Sequence, residues 1–474
     1  MSSWPVLLWG LLAATLPVPR LAAAQTARAP ADSQLARDIF RELIEINTTD
    51  SLGNTPRAAR AMAQRLVAAG FPAADVRVLI GPDANHGNLV ARYRGTGAGA
   101  RPIIGFAHLD VVPARRADWS VDPFTFLEKD GYYYGRGTTD NKAGAAMLVA
   151  DFIRLRQAGF RPRRDLILML TGDEETAGSC IAWVVTKHRD LIDAAFALNT
   201  DAGGGVLRDG RRVMFVVQAS EKVYATFVLE AIDKGGHSSL PRPADNPVYR
   251  LAPVLERLAQ YQFPVKLNEV SRAFFERSAA LESGSLADDM RGILKDPADS
   301  AAVAHLSAVP FYNSKLRTTC AATMMAAGHA ENALPQSARV TVNCRILPGE
   351  PASEVEATLR RLVADDRITL RATNTPIPSP PSPLTPSIIG PIEQLAAAQF
   401  PGVPVVPVME AGATDGLFLR NAGIPTYGVS AVFEEQNDVR AHGRDERVSV
   451  RSYYDALEFW YRMMRAFASD PLTR

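Results

Sequence analysis

Apolar positions recur every three to four residues over 33–46 and 56–70, the spacing of amphipathic helices, and Gly70 supplies a stop for the second. Beyond them the pattern changes. Short, uniformly apolar runs at 103–107, 166–170 and 194–198 follow Pro102, Asp165 and Asp193, as expected of strands buried on both faces. Between the first two, 143–155 is apolar at helical spacing. Strands alternating with helices predict an α/β domain with a central, mainly parallel sheet. Past Gln218 the rhythm shifts again: 223–231, 338–347 and 368–372 read as strands, 247–258 and 353–363 as helices. That order predicts a smaller ferredoxin-like α+β domain. The stretch 263–318 exceeds what such a fold needs and reads as a helical insertion. A Pro-rich run, TPIPSPPSPLTP at 375–386, reads as a stiff linker. After it a helix over 388–398 and a strand following Gly423-Ile424-Pro425 resume the α/β pattern. The expected architecture is a discontinuous α/β domain, 33–218 plus 383–474, interrupted by the smaller domain at 219–374.

Composition narrows the class. The 474 residues are 47% hydrophobic and 22% charged, with 52 Lys+Arg against 51 Asp+Glu. A chain of that length and near-neutral charge suits a multidomain globular enzyme, and nothing in it recommends a nucleic-acid or anionic-membrane partner. The apolar run 6–16, followed by Pro17, Pro19 and Ala22-Ala23-Ala24, has the length of a signal-peptide core with small residues at a cleavage site. Residues 1–24 are therefore read as an export signal, to the periplasm or outside, although 1–5 carry no basic residue; an uncleaved anchor is the alternative. No later segment is long and apolar enough to span a bilayer. Cys180, Cys320 and Cys344 form no CxxC pair and neighbour no His. They are read as buried apolar thiols, with a Cys320–Cys344 disulfide as the alternative in an oxidising compartment.

Chemistry collects at strand ends. Ligands of an open parallel sheet bind outside the carboxyl ends of its strands. The run 103–107 leads into His108-Leu109-Asp110, 166–170 into Asp173-Glu174-Glu175, and 194–198 into Asp201. Asp140 opens the helix near 143, and His442 lies in a late polar loop. A lone His or Asp at a strand end is ordinarily a cap or turn residue, and an acidic pair a solvated edge. Several strands bringing imidazole and carboxylates to one edge is different: the carboxylates would repel unless a cation sat among them. Imidazoles and carboxylates without a thiolate suit Zn2+ and also admit Co2+ or Mn2+. His-X-Asp places Asp110 to fix the tautomer of His108. His86, His188, His305 and His329 read as loop or helix-face residues without acidic partners.

With these motifs the chain resembles the M20 family of metallopeptidases and amidohydrolases. GFAHLDVVP, GRGTTDNK, LTGDEETAG, NTDAGG, GGHSSLP, ENALP, NCRILPG, GATDG and AHGRDERV fall in family order. The long insertion and the HGRDER ending resemble the carboxypeptidase S-like and N-acyl amino acid hydrolase branch. The resemblance implies a di-zinc catalytic domain and a lid or dimerisation domain. It implies two zinc ions bridged by Asp140, one completed by His108 and Asp201, the other by Glu175 and His442. It makes Glu174 the general base and Asp110 the residue orienting His108, and it predicts a cis peptide between Asp140 and Asn141. It assigns His237 to the scissile carbonyl oxygen, in many members across a homodimer. Asn332 and Arg345 are assigned to the substrate carboxylate, and Gly412 lines the site by its backbone. A guanidinium fork matches a carboxylate geometrically.

The expected function is hydrolysis of an amide or peptide bond beside a free carboxylate, as in a carboxypeptidase or N-acyl amino acid amidohydrolase. The substrate is a small peptide or N-acyl amino acid. The alternatives are a narrow, desuccinylase-type amidase and a non-catalytic metal-binding relic; a relic should have lost Glu174 or a ligand, and none is missing.

Overall fold

The computed structural model describes residues 31–97 and 99–469, so the candidate export segment 1–24 lies outside the described residues. Among the described residues no helix is long and apolar enough to cross a membrane.

The apolar runs form the centre of a ten-stranded sheet. Leu166–Thr171, Ile103–His108, Phe196–Asn199 and Thr426–Gly428 lie side by side and parallel. The first two are buried at every position, which explains their lack of alternation. Antiparallel strands extend both sides: Gly87–Tyr93 and Val76–Ile80 beyond Leu166–Thr171, then Arg211–Glu221 and Gly204–Arg208 beyond Thr426–Gly428. Val405–Glu410 pairs parallel with Arg211–Glu221. The sheet is thus mixed, with a parallel middle. Helices Ala31–Glu45, Thr55–Ala68, Lys142–Gln157 and Val450–Ser469 cover one face with the largest core; Ile181, Val184, Leu419 and Ile424 help cover the other.

The smaller sheet has the antiparallel order Thr319–Ala327, Ser337–Ile346, Val223–Ile232, Ile368–Ala372. Leu251, Val254 and Leu258 of helix Pro247–Gln260, with Val355 and Leu359 of Ala352–Val363, close a separate core on it. Thr319–Ala327 escaped the sequence reading because it is an edge strand whose residues from Ala321 onward are exposed, leaving no apolar period. The two sheets join directly: Arg211–Glu221 gives way to Val223–Ile232 across one residue, Lys222, and both Glu221 and Lys222 are fully buried. The insertion packs differently from its place in the chain. Its helices Glu269–Ala279, Gly284–Lys295, Ser300–Ser307 and Pro310–Leu316 share a core with Val406 and Val408 of the large sheet.

One reading is corrected. Cys320 and Cys344 are register partners on adjacent strands and form a disulfide; Cys180 alone is a buried free thiol. Facing edge and inner strands put the two side chains together, a long-range pairing that spacing along the chain does not reveal.

Candidate metal centre and active site

Three of the four strands of the parallel middle bring candidate ligands to the same edge. His108 is the last residue of its strand, Glu174 and Glu175 follow Leu166–Thr171, and Asp201 follows Phe196–Asn199. Asp140 stands just before helix Lys142–Gln157, and its peptide to Asn141 is cis, as expected. The His108 Nε2 lies 2.8 Å from Asp140 Oδ1 and 3.4 Å from Asp201 Oδ1. The other Asp140 oxygen is 3.0 Å from His442 Nε2, which lies 2.9 Å from Glu175 Oε2. Ligand atoms of His108, Asp140 and Asp201 lie within 4.8 Å of one another, as do those of Asp140, Glu175 and His442. Two triads of candidate ligands sharing one carboxylate would suit a pair of divalent cations.

The electrostatics match. Burial opposes charge on His108, but the Asp201, Asp110 and Asp140 carboxylates more than offset it and hold the imidazole well above its ordinary value. Hydrogen bonds to Asp140 and Glu175 lift His442 to about 10. Burial raises Asp140, yet its bonds to both imidazoles bring it far below the usual carboxylate range. Burial lifts Asp201 to about 6. Burial and the Asp201 charge hold Glu174 well above the usual range. Carboxylates crowded this way are frustrated without a cation, and imidazolium protons stand in for one.

Asp110 meets its expected partner by an unexpected route. The His108 Nδ1 is 3.1 Å from the Asp110 carbonyl oxygen and 3.5 Å from its carboxylate. The Nδ1–H donates to that carbonyl, which turns Nε2 toward Asp140. The Asp110 carboxylate accepts the backbone N–H groups of Glu174 at 3.1 Å and Glu175 at 2.9 Å, so it also sets the acidic turn. Asp173 is a cap: it accepts the N–H groups of Ser179 and Cys180 at the start of helix Ser179–Lys187.

A cleft of about 810 Å³ opens over the centre, lined by Asp140, Glu174, Glu175, Asp201 and His442, and on the far side by Arg345 and Gly412. His442 is half exposed and His108 buried, so access is from the His442 side. Arg345 projects from Ser337–Ile346, stacks over the Tyr224 ring at 4.7 Å, and donates to the Ala411 carbonyl at 3.3 Å. It has no carboxylate partner among the described residues. Open space surrounds Gly412 where a Cβ would stand. His237 and Asn332 are not brought to this cleft. They sit together on an exposed ribbon in which Gly236–His237 pairs with Ala333–Leu334, and Ser238 N–H donates to the Asn332 carbonyl at 3.1 Å. The expected pairing of Asn332 with Arg345 is therefore not formed within one chain; Asn374 lines the cleft instead.

Several residues the sequence reading left unassigned hold the centre. Glu446 is fully buried and accepts from Arg136 Nη1 (2.7 Å), the N–H groups of Gly137 (3.1 Å), Thr139 (2.8 Å) and Asp140 (3.2 Å), and Thr139 Oγ1 (2.9 Å). Arg136 also donates to the carbonyls of His442 and Gly443. The pair knits the Asp140 loop to the His442 loop. Glu221, equally buried and paired with Arg420, accepts from Thr414 N–H at 3.1 Å and Ser379 Oγ at 3.0 Å, fixing the 412–416 loop and the Pro-rich linker. Asp415 is buried, accepts from Thr171 Oγ1 at 2.6 Å, and is lifted to about 8 by burial. His86, read as lacking acidic partners, is held by Asp83 at 2.9 Å and Asp50 at 3.1 Å. Sequence offered only one signal for Glu446, its place two residues after the Gly443-Arg444 pair in HGRDER.

An α/β sheet with two carboxylate-linked triads of candidate ligands at its strand ends is the arrangement of a metal-dependent hydrolase. A match to peptidase family M20/M25/M40 spans residues 106–466, and the chain belongs to that family. It is 30% identical over 387 residues to the human N-fatty-acyl-amino acid synthase/hydrolase PM20D1, covering 80% of this chain and 76% of that one. It is 28% identical over 390 residues to a probable carboxypeptidase S-like 2 of Dictyostelium discoideum, covering 80% and 74%. An M20 family metallo-carboxypeptidase, Sso-CP2 of Sulfolobus solfataricus, shares the fold with TM-score 0.68 at 16% identity, over 91% of this chain and 99% of that one.

Proposed function

We propose that the protein hydrolyses the amide bond of an N-acyl amino acid, or the last peptide bond of a small peptide, next to a free carboxylate. The observation carrying this reading is the cleft itself: a half-buried Glu174 beside two triads of candidate ligands that share Asp140, with an Arg345 that has no acidic partner among the described residues. His108, Asp140 and Asp201 would hold one ion, and Asp140, Glu175 and His442 the other; zinc suits the donor set. Bound there, the metal pair supplies Lewis-acid polarisation of the carbonyl and a water acidic enough to be deprotonated near neutral pH. Glu174 would take a proton from water and pass it to the leaving nitrogen. Arg345 holds the substrate carboxylate.

His237 and Asn332 complete the site in this reading only across a homodimer, since their exposed ribbon is free to enter a second copy's cleft. Export is part of the same proposal. The Cys320–Cys344 disulfide suits an oxidising compartment and supports reading 1–24 as a signal. The relative named for N-fatty-acyl-amino acids favours an acyl amino acid over a peptide.

Arg345→Ala tests the carboxylate assignment. A charge-assisted bond in a closed site contributes about 1.5–3 kcal/mol. The variant should lose roughly ten- to a hundredfold in kcat/KM on free acids and little on the matching amides. Equal losses on both would refute it.

A further inference from the structure

Polar and apolar surface line the cleft in nearly equal measure: Val223 and the Tyr224 ring under Arg345 make one apolar group, and a second comes from other parts of the chain. Ile377, Leu417 and Phe418 line it together with the metal-ligand carboxylates. Ile377 is 42% exposed. Leu417 is half-buried and, with Ile377, stands outside the packed cores found among the described residues. Phe418 is braced against the core of Ile181, Leu419 and Ile424, and its ring lies over Gly178, where an added Cβ would come within 2.6 Å of it. Exposed aliphatic side chains converging in a ligand cleft mark contact with an apolar group.

The wall is also rigid. Ile377 precedes Pro378, whose carbonyl accepts the Asn421 side-chain amide, and Ser379, whose hydroxyl is bound to buried Glu221. Leu417 and Phe418 follow Asp415, which Thr171 holds, on helix Gly416–Asn421. Linker and helix are thus bolted into one surface. The Phe418 backbone N–H closes on the Asp415 carbonyl at 3.1 Å, which ties the start of this helix to Asp415.

Position along one loop orders the substrate. Ala411, at the near end, touches Arg345. Asp415 lies in the middle, bound to Thr171 at the end of the strand that leads into Glu174. Phe418, at the far end, meets Gly178, just past the Glu174-Glu175 turn. A substrate carboxylate on Arg345 therefore places the scissile amide over the metal ligands. The acyl group continues toward 417–418, whereas the amino-acid side chain branches from the carbon bearing the carboxylate and stays on the Arg345 side.

We infer that Ile377, Leu417 and Phe418 form the acyl subsite and select N-acyl amino acids with a long apolar chain. The inference rests on the proposed hydrolysis of acyl amino acids and adds which end of the substrate is read by apolar contact. The test uses zinc-loaded full-length protein and two substrate series. In one, glycine carries acetyl, butanoyl, octanoyl or dodecanoyl groups; in the other, acetyl is fixed and the amino acid is glycine, leucine or phenylalanine. Wild type should gain at least tenfold in kcat/KM between acetyl and octanoyl, because added methylenes leave water for the wall. Ile377→Ser/Leu417→Ser, which spares the core-packed Phe418, should lose at least tenfold on octanoyl-glycine and less than twofold on acetyl-glycine. It should leave the side-chain series unchanged. Equal loss at all acyl lengths, or a loss following the amino-acid side chain, overturns the inference. Binding of dodecanoyl-glycine and acetyl-glycine by calorimetry to Glu174→Gln protein, with and without the two serines, separates this from the parent reading. Absent turnover with chain-length-dependent binding sinks hydrolysis and keeps the subsite. Turnover without chain-length dependence does the reverse.

Discussion

Replacing Glu446 by Gln is the sharpest probe of how the centre is held. Both carboxylate oxygens face donors only: Arg136, Gly137 and Thr139 with Asp140, five in all, and no acceptor. The amide keeps the shape but must aim its NH2 at one of these sets. One orientation sets it against Arg136 and Gly137, the other against Thr139 and Asp140, and either leaves buried N–H groups unpaired. Arg136, itself 3% exposed, also loses its counter-charge. Breaking one partner of a buried ion pair costs about 3–5 kcal/mol. With an unfolding entropy of about 2.1 cal/mol/K per residue over 474 residues, the metal-free protein should melt about 3–5 °C lower. Asp140 takes its position from this network, so metal affinity should fall roughly ten- to a hundredfold, the usual effect of losing a residue that orients a ligand. Scanning calorimetry of the metal-free protein and a competitive zinc titration measure the two effects. A variant that melts within 1 °C of wild type and binds zinc equally would show that the network does not position the centre.

Two other expectations follow from the same geometry. Glu174→Gln should abolish turnover while two zinc ions per chain remain by elemental analysis, because the amide cannot accept the proton; loss of metal along with activity would make Glu174 a ligand and undo its separation from Glu175. Lys222 is pulled to about 7 by burial and by the charges of Lys315 and Arg345, so between pH 7 and its unfolded value near 10.5 the unfolded chain binds the extra proton and stability rises with pH. Urea melts at pH 7 and 9 should show that rise shrink in Lys222→Met, by up to about 1.4 kcal/mol per pH unit; an unchanged slope would refute it.

The sequence announced what depends on one segment at a time. The strands ending in His108, in Glu174-Glu175 and before Asp201 were legible because burial on both faces leaves an unbroken apolar run followed by its polar end. The candidate ligands could be named because family motifs carry them. What escaped depends on partners far along the chain. Strand Thr319–Ala327 is exposed and lacks a period, and its disulfide needs the register that places Cys320 opposite Cys344. Glu446 and Glu221 look like ordinary acids until folding surrounds them with donors. The insertion reads as part of the smaller domain until Val406 and Val408 prove to be its packing surface. Asn332 and His237 were grouped with the site by motif alone, and within one chain their ribbon stands apart from it.

The order of strands in the large sheet carries a consequence for how the protein is made. Thr426–Gly428, from the last stretch of chain, slots between Phe196–Asn199 and Arg211–Glu221. Until that segment emerges from the ribosome, the two earlier strands face each other across a gap with unpaired backbone edges. The first ligand triad, His108 with Asp140 and Asp201, is complete in sequence by then, whereas the second waits for His442. The nascent chain therefore spends its synthesis as a sticky, half-assembled sheet, the state in which aggregation competes with folding. Expression from a fragment ending before Thr426 should yield inclusion bodies, and the missing strand supplied as a separate C-terminal piece is the natural remedy.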